Sequence, residues 1–427
     1  MNARPTDPRP TPTPFDLDDP GLLFRSDVLA DPRPLYAELR RRAPVWKLAG
    51  QDTFLVSDPA LIRDAVARVD DFSSNMVSMI HRGGDGGSAP FAMLAFGDPG
   101  NVLAIADPPH HTRHRKLLQS HLSPAAVADL EPTVRALATE RIADMVAAGH
   151  GDAVAQLADP IPAALICELL GLPGDDADRL IPHVLAVGEL LDGLADEDGM
   201  ARAAVAAVEL AGYAATTLEH QRARPASDRS PMIGAMLDGI DASDLSTDEA
   251  VGMLMQLFTA GTETTQSLTA TTIELLARDP DRQAGLRADP TRIADALEDI
   301  LRADGPFQFH YRWAPRDTQL GDTPIPASSR VLLLWSAANQ SVGPDAGDTP
   351  GRPAPHFAFG RGIHFCIGAA LGRLEARVMI EELLAATTRF ELDPDRPPRR
   401  RPSIMLRRHA SLPLRLDPVD VDRSGGA

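Results

Sequence analysis

One cysteine in this chain stands among residues that change its chemistry. Cys366 lies in Phe359-Gly-Arg-Gly-Ile-His-Phe-Cys-Ile-Gly368, where irregular chain enters the last long helical pattern. A thiol at or just before a helix N-terminus meets unpaired N–H groups and the positive end of the dipole, both of which favour thiolate. Gly360, Gly362 and Gly368 permit positive φ and close backbone approach, so amides can point at the sulfur. With His364 alongside, this pattern suits one metal ligand or a nucleophile. Cys167, inside Leu165-Ile-Cys-Glu-Leu-Leu170, has no such neighbours and reads as a small buried hydrophobe.

Two other groups stand out. In Ala260-Gly-Thr-Glu-Thr-Thr265, a mid-helix glycine costs ~1 kcal/mol against alanine. Gly261 leaves room for something to lie against the helix, and Thr264 can bond a carbonyl one turn back and open a groove. The plainer alternative is a helix that packs closely at Gly261. After Asp107-Pro-Pro109, the run His110-His-Thr-Arg-His-Arg115 puts His111 and Arg115 on one helical face. His110, His111 and His114 could also share a metal ion, but no third ligand or HExxH pattern lies nearby.

The elements that must position these residues are mostly helical. Ser246 and Glu249 form a capping box that opens a helix from Thr247 to Arg278. Further helices are expected at Pro34–Arg42, over most of Pro124–Arg222, at Thr291–Ala303 and near Gly368–Thr387. Trp46–Val56 alternates like paired strands, Val331–Trp335 is strand-like, and Ser341–Pro355 is irregular. Met76–Gly100 reads as a long glycine-rich loop carrying bulky apolar residues, a pattern typical of lids and binding loops. The fold class is mainly α with a minor β lobe. Residues 1–17 read as a disordered arm, 18–418 as one domain and 419–427 as a tail.

The chain has 427 residues, 44% of them hydrophobic, and a formal charge of −18. That balance argues against nucleic acid and anionic membrane as partners, since both need a basic face. No stretch reaches the ~18 apolar residues of a membrane span. With two cysteines and no leader-like N-terminus, the expected location is the cytoplasm.

Phe-Gly-x-Gly-x-His-x-Cys-x-Gly, as it stands at 359–368, resembles the haem-binding loop of the cytochrome P450 family. The resemblance extends over nearly the whole chain and implies the family fold. It also implies haem b (iron protoporphyrin IX) with Cys366 as the axial iron ligand. Glu263 and Thr264 match the family's acid–alcohol pair, which delivers protons during oxygen activation. His111, Arg115, Arg312 and His364 match its propionate partners, and Phe359 and Gly368 complete the cofactor loop. By the same mapping Arg113, Lys116, Arg361, Arg373 and Arg377 surround the cysteine side of the haem. There the family docks a small acidic ferredoxin, itself served by a ferredoxin reductase.

The implied activity is a monooxygenase using O2 on a small hydrophobic substrate. Alternatives are oxidative coupling or desaturation at the same centre, or a non-catalytic haem or ligand-binding protein. The expected substrate lining is Met76, Met79, Phe91 and Met93, with Phe258, Ala260 and Gly261, and then Phe307, Phe309, Ile404 and Met405. One departure concerns the family's Glu-x-x-Arg pair, present here as Asp299 and Arg302. A buried pair with a shorter acid would leave a lengthened, desolvated contact. Another departure is Asn339-Gln340-Ser341, followed by a shortened segment up to His356.

Overall fold

The longest helix organises the chain around itself. In the computed structural model, which describes residues 15–93, 102–341 and 355–419, it runs from Thr247 to Ala277. Its 31 residues span about 46 Å at 1.5 Å each. Both halves of the expected capping box form at Ser246 and Glu249.

The described helices are, in order, α1 (Ser26–Ala30), α2 (Arg33–Arg42), α3 (Pro59–Ala67), α4 (His110–Leu118) and α5 (Pro124–Ala128). Next come α6 (Glu131–Ala148), α7 (Pro160–Leu170), α8 (Asp176–Leu191), α9 (Glu197–Ala223) and α10 (Pro231–Asp241). The long helix is α11, followed by α12 (Pro280–Ala288), α13 (Ile293–Asp304), α14 (Trp335–Ser341) and α15 (Ala369–Ala386). α11 packs against α7, α8, α9, α13 and α15. Its second half is buried almost all round, from Thr265 to Ile273. One large apolar cluster fills the spaces between these helices, including Leu165, Leu210, Leu254, Ile273 and Ile380, each at most 1% exposed. Burying one such side chain contributes roughly 1.5–3 kcal/mol.

The β portion is small. A four-stranded sheet has the order β1 (Val45–Lys47), β2 (Thr53–Val56), β9 (Ser329–Leu333), β6 (His310–Ala314). β2 and β9 are parallel, and the outer pairings are antiparallel. β3 (Ser78–Arg82) with β4 (Ser88–Ala92), and β7 (Thr318–Leu320) with β8 (Thr323–Ile325), form hairpins. β5 (His150–Asp152), β10 (Thr387–Leu392) and β13 (Pro413–Pro418) make a second sheet, and β11 (Arg399–Arg401) pairs with β12 (Arg408–Ser411). No helix among the described residues is long and apolar enough to cross a membrane.

Three expectations change. Much of the supposed glycine-rich loop is the β3–β4 hairpin, with Gly83–Gly87 in its turn; residues 94–101 lie outside the described residues. Trp335 opens α14 instead of ending a strand, and the irregular segment after Ser341 lies outside the description up to residue 354. The supposed arm is seated at its end: Leu17 is 4% exposed and its carbonyl accepts a hydrogen bond from Trp46 Nε1 at 3.2 Å. Residues 1–14 and 420–427 lie outside the described residues.

Candidate active site

Cys366 is held by a folded loop two residues before the N-cap of α15. Its N–H donates to the Phe359 carbonyl at 2.9 Å, Gly360 N–H to Phe357 at 2.8 Å, and Phe365 N–H to Gly362 at 3.1 Å. Gly360 and Gly362 take φ of 70° and 71°, which L side chains resist. Gly368 has φ −88°, so positive φ is not its role; it caps α15 instead. Cys366 lies deep in the fold, yet its side chain is open. Burial raises the thiol pKa in the polypeptide alone, while the Gly368 amide, Arg115 and Arg373 pull it down. The helix-terminus effect is therefore present but outweighed until a cation meets the sulfur. Cys167 is buried and unreactive, its thiol pushed up to about 12 by burial.

Beside this loop four basic groups converge. His111 on α4 lies against His364 with ring centroids 4.3 Å apart, and the Nε2 of each is buried without a partner. Arg115 Nη1 donates to the Phe365 carbonyl at 2.9 Å. Arg312 on β6 is buried and forms no ion pair among the described residues; its Nη1 donates to the Tyr311 carbonyl. Burial pushes Arg312 down to about 10, with Asp107 opposing. His364 is pushed to about 2, first by burial and then by Arg312, His111, His310 and Arg115. Orphaned ring nitrogens beside a buried, uncompensated guanidinium are costly in isolation. Carboxylates would satisfy both, so these residues fit a haem held by its propionates over an open cysteine.

On α11, Ala260 is exposed although it lies mid-helix, and Thr264 is partly exposed. Thr264 Oγ1 donates to the Ala260 carbonyl at 2.7 Å, the back-bond that opens a groove. Gly261 does not line this face. A Cβ there would lie 2.5 Å from Ile166 Cδ1, so the glycine permits close packing on α7, the plainer of the two readings. Phe258 also turns away: it is 2% exposed and contacts Tyr213 of α9.

Glu263 is only 3% exposed and presses Oε1 against Arg408 Nη1, while Arg408 Nη2 pairs with Asp192 at 2.8 Å. This buried triad joins α11, the C-terminal end of α8 and β12. Gly188 on α8 leaves the space that the Glu263 carboxyl occupies. Arg408 and Asp192 were not found from sequence, since no local spacing ties them to α11.

The remaining expected lining gathers in one place. Met79, Phe309, Ile404 and Met405 are buried in a cluster with the N-terminal segment, and Met76, Phe91, Met93 and Phe307 pack on it. Phe309 and Ile404 border a cavity of only about 20 Å³.

Two structural expectations are corrected. Asp299 and Arg302 do not form a buried pair: they are 3.6 Å apart and the Asp299 side chain is 58% exposed. The close contact belongs to Glu298, which accepts from Arg373 Nε at 2.6 Å and Nη2 at 2.9 Å and meets His356 Nε2 at 2.9 Å. Of the expected basic patch, Arg373 is thus neutralised by Glu298, and Arg377 by Glu131 and Glu381. Arg361 stacks on Phe357. Lys116 is exposed, and Arg113 touches His110.

The family model for cytochrome P450 matches residues 198–412. Cytochrome P450 144 of Mycobacterium tuberculosis is 34% identical over 380 residues, covering 87% of this chain and 86% of that protein. A vitamin D(3) 25-hydroxylase of Pseudonocardia autotrophica is 34% identical over 370 residues, covering 85% and 88%. The crystal structure of CalO2 superposes with a TM-score of 0.80 at 27% identity, covering 94% of this chain and 98% of that one. The chain belongs to the cytochrome P450 family. It is an oxidoreductase of the monooxygenase type with a haem-iron cofactor.

Proposed function

We propose that the chain is a ferredoxin-dependent haem-thiolate monooxygenase acting on a small, lipophilic substrate. One observation carries the reading: the open Cys366 thiol shares its site with the cluster of His111, His364, Arg312 and Arg115, of which His111 and Arg312 are buried. Haem b, when bound, would supply O2 activation with two electrons and insertion of one oxygen atom into a C–H or C=C bond. Cys366 Sγ would hold the iron, and Phe359 and Gly368 shape its loop. The four basic groups would hold the two propionate carboxylates. Thr264 Oγ1, anchored on the Ala260 carbonyl, would position a proton-donating water in the groove of α11. Glu263 would relay protons from solvent to that water, and Arg408 holds the Glu263 carboxyl in place. The apolar, methionine-rich cluster around Met76, Met79 and Phe91 suits a flexible hydrophobic ligand once parted. A 25-hydroxylase of vitamin D(3) among the relatives supports that substrate class. The site of action is the cytoplasm.

The ligand test is spectral. Reduced, CO-treated protein should show the red-shifted Soret band of thiolate ligation, and Cys366→Ala should lose it; a wild-type band at the histidine-ligated position would sink the assignment. Isotopically labelled O2 separates monooxygenation from coupling or desaturation, which leave no label in the product. With Arg373 and Arg377 neutralised, docking of an acidic ferredoxin falls mainly to Arg113 and Lys116. Reduction by ferredoxin should weaken as salt rises from low ionic strength to 0.15 M, where the Debye length is ~8 Å, and Lys116→Glu should weaken it further. Salt-independent reduction would remove this face from the scheme.

A further inference from the structure

The structure completes a ligand set that the sequence leaves unfinished. His111 turns toward His364, but its neighbours His110 and His114, one turn apart on α4, turn toward the first turn of α11. There Glu249 presents Oε1 2.9 Å from His110 Nδ1 and 3.4 Å from His114 Nε2. The three donor atoms all lie within 4.8 Å of one another. Glu249 is the missing third ligand, far away in sequence and brought in by the packing of α11.

We propose that His110, His114 and Glu249 form a binding site for a divalent transition-metal ion of the zinc class, separate from the haem iron. Four features carry this. The donors are two imidazoles and one carboxylate, a set that favours zinc and its neighbours over magnesium or calcium. Bonds of ~2.0–2.2 Å to a tetrahedral ion need ligand atoms a little over 3 Å apart, within reach of the present spacing after small rotations. The Glu249 carboxylate is already oriented, because its Oε2 accepts the Ser246 N–H at 2.8 Å in the capping box. Such outer contacts fix the ligand and raise its affinity.

The fourth feature is His114 itself. Its side chain is fully buried, and neither ring nitrogen makes a hydrogen bond of good geometry. The 3.4 Å approach to Glu249 is a misaligned contact that leaves a buried polar ring unpaired, an arrangement costing ~1–3 kcal/mol. A cation between Nε2 and Oε1 would give that ring nitrogen its partner. One group opposes it: Arg113 Nη2 lies 3.1 Å from His110 Nδ1 and must swing away when a cation arrives. Nothing blocks that movement covalently, and Arg113 is only partly buried. Three protein ligands leave a fourth position for water. The site would fasten α4, the helix carrying His111 and Arg115, to the start of α11.

Calorimetric titration of the haem-loaded protein with ZnCl2, after dialysis against chelator, tests the site. One equivalent of zinc should bind, and His110→Ala and His114→Ala should each weaken it at least tenfold. His220→Ala, an exposed histidine elsewhere, should leave it unchanged. The CO-bound Soret band checks that each variant keeps its fold and haem. His114 is fully buried, so the partly exposed His110 is the safer variant should His114→Ala fail to fold. Absence of stoichiometric binding, or binding equally tight in folded His110→Ala, overturns the proposal. Neither result bears on the thiolate assignment, which the CO spectrum decides.

Discussion

At the scale of single residues, the proposed chemistry rests on a few polar groups, some of them placed where burial makes them expensive. Thr264 commits its hydroxyl hydrogen to the Ala260 carbonyl, which leaves the oxygen free to accept from a water in the groove. Thr264→Ala should keep haem and substrate binding but lose that anchor. Product formed per electron consumed should fall on the order of tenfold, with hydrogen peroxide making up the balance. Unchanged coupling would assign proton delivery to another group. Arg408, which no local spacing ties to α11, faces two buried carboxylates, Glu263 and Asp192. Arg408→Met keeps most of the volume but leaves both acids unpaired. Removing one partner of a buried charge network costs ~3–5 kcal/mol, and urea denaturation should read a loss of that size. A loss below ~1 kcal/mol would show that the triad is held together by other contacts.

At the scale of elements, the α13–α15 side of the site is fastened by a contact one residue away from the expected one. Glu298 on α13 takes a bidentate grip on Arg373 of α15 and also meets His356. These contacts hold the Glu298 carboxyl down at about 2, although burial alone would raise it. Asp299, largely exposed, makes only a loose approach to Arg302. Asp299→Glu should therefore change stability by less than ~1 kcal/mol, as exposed pairs do. Glu298→Gln, which removes one side of a mostly buried grip, should cost ~1–3 kcal/mol and speed haem loss. Thermal melts of both variants decide; equal effects would refute the reassignment. The same region shows what a sequence can and cannot display. The start of α11 was legible because Ser246 and Glu249 form a local cap, and the Cys366 loop because its glycines and histidine are contiguous. Helices α2 and α15 followed from apolar period alone. The β3–β4 hairpin was missed because its glycines serve a turn, while its flanking residues alternate only weakly. The partners of Glu263, Glu298 and His114 were illegible for one reason: each comes from an element distant in sequence, and no period or spacing encodes that contact. Gly261 shows the complementary error, since a mid-helix glycine marks close approach without saying of what.

At the scale of the whole molecule, the pH response follows from which buried groups the fold holds neutral. Glu375 on α15 is 1% exposed and faces α11, and neither carboxyl oxygen has a hydrogen bond of good geometry. Burial raises its pKa from 4.5 to about 8; Thr265 across the helix contact opposes this without overcoming it. The folded protein thus prefers the protonated acid. Its contribution to stability is complete below the unfolded value of 4.5 and is lost as pH rises through about 8. His310, buried and accepting from Trp335 Nε1, runs the other way. Its pKa is lowered from 6.5 to about 3, first by burial and then by Arg312, so it withdraws stability as pH falls through that range. The Glu375→Gln variant retains a neutral side chain of the same shape that cannot ionise. The histidine's effect is common to both proteins and cancels in their difference. That difference should therefore grow in favour of Glu375→Gln only across the window from about 4.5 to about 8, and then level. The slope can reach ~1.4 kcal/mol per pH unit, the full linkage of one proton. Urea denaturation of the haem-loaded proteins at pH 5, 6, 7 and 8 measures it. A difference independent of pH would mean that Glu375 ionises normally in the fold, with water or a neighbouring donor reaching a carboxyl that the packing of α11 on α15 shows sealed.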